Sequence, residues 1–190
     1  FLEQTMLFCD HGPGQTENSS KRSQFKDAWR DPLEQAMAVP QSMLLRDFHV
    51  GNLIHLPNRL AVKACGIIDF QDAGIGPVTY DLASLLQDAR WTVPFELAAD
   101  CLTTYARAFP DMDQNTFDIS YAVMAAQRHV RIIAVFHRLA EQGKPDYLVH
   151  MPRLWRLLVA MFAHPALEDV AAWFEAHLPA AVQRRMYGGQ

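Results

Sequence analysis

Leu44-Leu45-Arg46-Asp47-Phe48-His49-Val50-Gly51-Asn52-Leu53 is followed at short range by Gly66-Ile67-Ile68-Asp69-Phe70. The first segment sets an Asp and, five residues on, an Asn in a polar loop between apolar runs. In the second, Asp69 closes the run Cys65-Gly66-Ile67-Ile68, which reads as a short buried strand. A carboxylate at the end of a buried strand, facing a second carboxylate and an amide, is costly unless a cation lies between them. Hard oxygen ligands suit Mg²⁺, which is commonly held by one or two side chains together with substrate phosphates. These residues therefore imply Mg²⁺ and a phosphate-bearing ligand.

The spacing D-x-x-x-x-N is the catalytic-loop pattern of kinases, where the Asp accepts a hydroxyl proton and the Asn holds metal. By itself it also arises by chance in loops. Asp69-Phe70-Gln71-Asp72 stands where a D-F-G motif would stand, but the Gly is absent. The longer phrase Ile68-Asp69-Phe70-Gln71-Asp72-Ala73-Gly74-Ile75-Gly76-Pro77-Val78-Thr79-Tyr80-Asp81-Leu82 is far more specific. It resembles the aminoglycoside phosphotransferase and choline kinase family, and within it the bacterial sugar kinases acting on N-acetylmuramate and N-acetylglucosamine in cell-wall recycling. The likeness is strong over residues 43–88 and loose over the helical remainder.

That resemblance implies an α+β, mostly α fold: a kinase-like C-terminal lobe whose small β-hairpin carries the metal ligands. It implies ATP as phosphate donor with Mg²⁺, and a sugar or amino-sugar hydroxyl as acceptor. Asp47 would orient and deprotonate that hydroxyl. Asn52 and Asp69 would hold the metal. Asp81, in the first turns of the next helix, would bond the catalytic-loop backbone and hold Asp47 in place; a surface charge favoured by the helix dipole is the plainer reading. Leu45 stands where the family usually has His, a structural brace. His49, Arg90 and Trp91 are candidate substrate contacts, with packing or surface roles as the alternative.

The 190 residues fit one domain. Half are hydrophobic and a fifth charged, and the net charge is -4, so nothing suggests a nucleic-acid partner. Cys9, Cys65 and Cys101 are far apart and odd in number, which argues against a disulfide framework and fits a reducing cytoplasm. No apolar run reaches membrane-helix length and no signal peptide is visible. His129 and His137 lie on one helix without an acidic or His partner at i+4, so zinc is not expected.

Residues 1–8 read as the tail of an apolar segment, and residues 10–24, rich in Gly, Pro and Ser, as a loop. Phe25, Trp29, Leu33 and Met37 predict a helix over 25–37, started or kinked by Pro32. Two strands, 52–56 and 61–69, are expected around the turn Pro57-Asn58-Arg59. Gly74, Gly76 and Pro77 break the chain before a helix over 78–89. Residues 94–180 read as helical: 94–109, a long helix capped by Asp113 and ended by Gly143 and Pro145, then 147–162 and 166–178. Trp155 and Trp173 read as core, and residues 184–190 as frayed.

A complete kinase also needs a Gly-rich loop, a strand Lys and a helix Glu. Gly12-Pro13-Gly14, Lys21 and Lys26 do not supply them. The N-terminal lobe is expected to be absent from this chain, leaving a surface for that lobe or for self-association. Other readings remain: a truncated, inactive kinase-like remnant or binding module, an aminoglycoside phosphotransferase, and, less favoured, a phosphohydrolase. From Asp81 to Asp111 there are five acidic residues against Arg90 and Arg107, too mild an excess for a polycation funnel. A neutral or anionic sugar is favoured.

Overall fold

The computed structural model describes residues 1–178 and Val182. The expected fraying at 184–190 lies outside the described residues. Helix α5, Gln114–Glu141, is the axis of the fold. Asp113 caps its start by accepting the Thr116 backbone N–H at 2.9 Å, and Gly143 follows its end at φ 86, a left-handed turn that glycine adopts without strain. Every residue from 122 to 130 is buried, because helices pack around the middle of α5 from several sides. Those neighbours are α1 (Leu2–His11), α2 (Ser19–Ala36), α3 (Thr79–Leu86) and α6 (Met151–Met161).

The core gathers aromatic side chains from distant segments. Phe25 of α2 meets Trp173 of α7 (Glu168–His177) at 4.5 Å between ring centroids. Phe8 of α1 meets Phe174 at 5.0 Å. Trp155 and Trp173 are both buried. Among the described residues no single helix is long and apolar enough to cross a membrane.

Two segments differ from the sequence-based expectation at the N-terminal end. Helix α1, Leu2–His11, runs into the stretch expected as loop, and α2 begins at Ser19, not Phe25. The reason is local: Asn18 Oδ1 accepts the Lys21 N–H at 3.1 Å and caps the helix inside a stretch whose composition suggests only loop. Pro32 therefore lies inside α2 and does not start it.

The expected hairpin forms with shorter strands, and a second strand pair accompanies it. Strand β2 (Leu53–His55) pairs antiparallel with β3 (Cys65–Ile67), with a 3-10 turn at Ala61–Ala64 between them. Asp69 lies two residues beyond β3. The hairpin is not buried: Ile67 is 39% and Ile68 46% exposed. The second pair, β1 (Gln41–Leu44) with β4 (Gly74–Pro77), runs through the segment that reads as a chain break. A Cβ on Gly76 would meet the side chain of Leu44 at 2.6 Å and the ring of Phe1 at 3.2 Å, so these two side chains fill the space over that glycine. Beyond β4 come α3 and, after a loop, α4 (Phe95–Arg107).

His129 of α5 is fully buried, and its Nε2 shares a hydrogen bond with Gln87 Oε1 at 2.8 Å. Burial pushes this imidazole down to about 3, with Arg128 and Arg153 adding to the shift. The unfolded chain takes up a proton near the ordinary value of about 6.5, and the folded one does not. Stability from this group is therefore full above that pH and falls as the pH drops toward 3, by about 1.4 kcal/mol per unit. The imidazole resonances of His129 are expected to stay at their neutral positions down to pH 5 by NMR, while the unfolding temperature falls. Protonation of His129 near pH 6 in the folded state would contradict this.

Candidate phosphotransfer site

The loop after β1 is held from both sides. Asp81, in the first turn of α3, accepts the backbone N–H of Leu45 at 2.6 Å and of Arg46 at 3.0 Å. Burial pushes its carboxyl up, and the two backbone donors act against that shift. Asp47 N–H donates to Leu45 O at 2.8 Å, and Asn52 Nδ2 donates to Asp47 O at 2.8 Å. Asn52 is buried beneath the loop. Asp47 is exposed, and its carboxylate accepts no hydrogen bond among the described residues.

The second acidic group arrives on the hairpin. Ile68 N–H donates to Asn52 O at 3.1 Å. Asn52 Nδ2 also lies 3.4 Å from Asp69 Oδ2, and Gln71 Nε2 donates to Asp69 Oδ1 at 2.7 Å. Arg46 at φ 68 and Asp69 at φ 60 are both left-handed, beside the two carboxylates. Such backbone is strained for non-glycine residues and collects at functional sites. Asp69 is exposed, not buried. Burial cost therefore does not call for a cation here, and the described residues hold no cluster of three or more His, Cys, Asp or Glu side chains that could bind a metal ion.

The side-chain oxygens of Asn52 and Asp69 fit Mg²⁺. The Asn52 amide N–H₂ is committed to Asp47 O and Asp69, which leaves its Oδ1 as an acceptor without a hydrogen-bond donor among the described residues. Two hard oxygen side chains, completed by phosphate and water, match how Mg²⁺ is usually held.

A pocket of about 250 Å³ opens next to these residues. Asp47, His49, Asp69 and Arg90 line it, so the fold brings together residues spread over more than 40 positions. His49 Nδ1 accepts the Gly51 N–H at 3.1 Å, which puts the proton of the neutral ring on Nε2. Burial pushes this imidazole down and Asp88 opposes the shift. Arg90 lies over the Phe136 ring at 5.8 Å. Trp91 is not brought to the pocket: its ring is exposed, and its backbone is tied to Asp88 and, at 2.7 Å, to Arg153 Nη2.

Three pocket residues escape the sequence reading: Asp88 at the end of the α3 segment, and Arg128 and Arg131 on α5. Arg128 carried a signal. A charge in Ala122-Val123-Met124-Ala125-Ala126-Gln127-Arg128-His129-Val130, next to an apolar run in the middle of a long helix, must meet something polar if that side is buried.

The profile of the phosphotransferase enzyme family matches residues 3–117, which include the loop, the hairpin and Asp81. The chain belongs to this family. It is 42% identical to the N-acetylmuramate/N-acetylglucosamine kinase of Caulobacter vibrioides over 140 residues, 73% of this chain and 39% of that protein. Proteins of the same name from Pseudomonas putida and Neisseria meningitidis are 34% and 36% identical over 65% and 64% of the chain. The chain spans 37–41% of the length of the curated relatives it matches.

Asp81→Ala removes the acceptor of two backbone N–H groups. In this family member the expected cost is about 1–3 kcal/mol, read as a fall in unfolding temperature of about 2–4 °C per kcal/mol. An unchanged melt by circular dichroism would show that water replaces the carboxylate.

Proposed function

We propose that this chain carries the acceptor-binding and metal-binding half of an ATP-dependent phosphotransferase acting on an amino-sugar hydroxyl. The single observation behind this reading is the loop in which Asp47, Asn52 and Asp69 are brought together by Asn52 Nδ2 and braced by Asp81. Family membership and the names of the relatives point the same way. Asp47, with a free carboxylate on a fixed backbone, would orient the acceptor hydroxyl and take its proton. Asn52 Oδ1 and Asp69 would hold Mg²⁺, which when bound offsets charge on the transferring phosphate. Fixing the loop beforehand matters because phosphoryl transfer rests mainly on positioning and charge stabilisation.

The pocket supports an uncharged or singly charged acceptor. Asp47, Asp69 and Asp88 face Arg90, Arg128 and Arg131, three of each sign. A polycationic aminoglycoside would meet as much repulsion as attraction. Its free cysteines suit a reducing compartment such as the cytoplasm.

Between the hairpin strands Leu60 and Val62 are each 87% exposed, and on β4 Ile75 is 84% exposed. Large apolar side chains left this exposed favour a covering partner. We place there the part of the protein that grips the nucleotide, or a second copy of the chain. The experiment is to give the full-length protein Mg-ATP with N-acetylmuramate, N-acetylglucosamine or an aminoglycoside, and to look for the phosphorylated acceptor by mass spectrometry. A phosphorylated amino sugar is expected. Phosphate release into water alone would favour a phosphohydrolase and contradict the proposal.

A further inference from the structure

Asp88 and Arg128 are the buried charges of the pocket, 1% and 4% exposed. Asp88 Oδ1 is taken by the backbone N–H groups of Arg90 and Trp91, at 2.6 and 3.2 Å. Its Oδ2 is buried without a hydrogen-bond partner among the described residues. His49 Nδ1, 3.8 Å away, does not serve, because it already accepts from Gly51. Arg128 Nε and Nη1 are likewise buried and unpartnered. Among the described residues no ion pair joins the two side chains.

An acceptor and a donor in one cavity without protein partners are costly unless water or a ligand completes both. The wall beside them is apolar. Ile132, Val135 and Phe136 follow Arg128 at i+4, i+7 and i+8 on α5 and line the same pocket. The cavity thus presents an acceptor, a donor and an apolar surface.

An acetamido group carries the complementary set: an N–H, a carbonyl and a methyl. We propose that this pocket recognises the acetamido group of an N-acetylated sugar, with Asp88 Oδ2 accepting its N–H, Arg128 donating to its carbonyl and the methyl lying against Ile132 and Phe136. This rests on the amino-sugar reading above and names the group that selects the acceptor. A free hydroxyl offers no methyl to the wall. The ammonium of an unacetylated amino sugar leaves the Arg128 donors unpaired and adds a positive charge beside them.

The test is saturation-transfer NMR and affinity measurement on the full-length protein with N-acetylglucosamine, glucosamine and glucose. The acetyl methyl is expected to receive the strongest saturation, and N-acetylglucosamine to bind about tenfold or more tightly than the other two, as befits a site whose buried polar groups are left unpaired by the analogues. Asp88→Asn keeps the shape but can turn a donor toward the sugar N–H, and Arg128→Lys shortens the reach. Each folded variant should lose most of the preference. Equal affinity for the three sugars, or a preference intact in both folded variants, overturns the proposal. Should neither variant fold, the methyl saturation and the selectivity of the unmodified protein decide. Selective binding lost in the variants, with no phosphorylated sugar ever formed, would uphold the acetamido pocket and reject the kinase reading.

Discussion

Asp47→Asn is expected to leave folding and nucleotide affinity nearly unchanged and to cut phosphoryl transfer by about two to four orders of magnitude. The substitution keeps the shape of the side chain and removes its ability to take a proton. Nothing in the loop depends on the carboxylate itself. The backbone is held by Asp81, and Asn52 bonds the Asp47 carbonyl, not its side chain. The loss should therefore fall on the chemical step and not on binding. Single-turnover kinetics on the full-length protein separates the two. Near-wild-type transfer would remove Asp47 from the role of base.

Asp69→Ala is expected to weaken Mg²⁺-dependent nucleotide binding by at least about a hundredfold, since changes one shell further out already cost about 10- to 100-fold. Asp69 supplies the carboxylate that meets the Asn52 amide. The fold should survive, because Asp69 is exposed and Asn52 keeps its 2.8 Å bond to Asp47 O. Calorimetric titration of Mg-ATP into the full-length variant measures the effect. An unchanged isotherm would place the metal elsewhere.

Local signals explain what could be read directly from the residues. Asp113 and Gly143 bound α5 because a cap and a left-handed turn are decided within a few residues. Trp155 and Trp173 read as core and are buried, because large aromatic side chains on amphipathic helices seldom find another place. The loop residues were legible because the family pattern is short and contiguous.

What stayed hidden depends on partners distant in sequence. Gly74-Ile75-Gly76-Pro77 looks like a break until Gln41–Leu44 lies beside it, and that pairing spans more than 30 residues. Asn18 caps a helix within a stretch that composition assigns to loop. Ile67 and Ile68 look like buried strand residues, yet the two-stranded hairpin leaves them partly exposed. Asp88, just past α3, and Arg128 of α5 lie 40 positions apart and come to line one pocket only when α3 packs on α5. A charged residue inside an apolar helix says that a polar partner exists, but not which one.

The most direct measurement is a Mn²⁺ titration of this chain followed by amide NMR, Mn²⁺ standing in for Mg²⁺ as an oxygen-liganded cation. Asn52 Oδ1 and the Asp69 carboxylate are the donors under test. Broadening is predicted to begin at residues 47–52 and 68–71 and to disappear in Asp69→Ala. Broadening centred elsewhere on the chain, or unchanged by that substitution, would contradict the account.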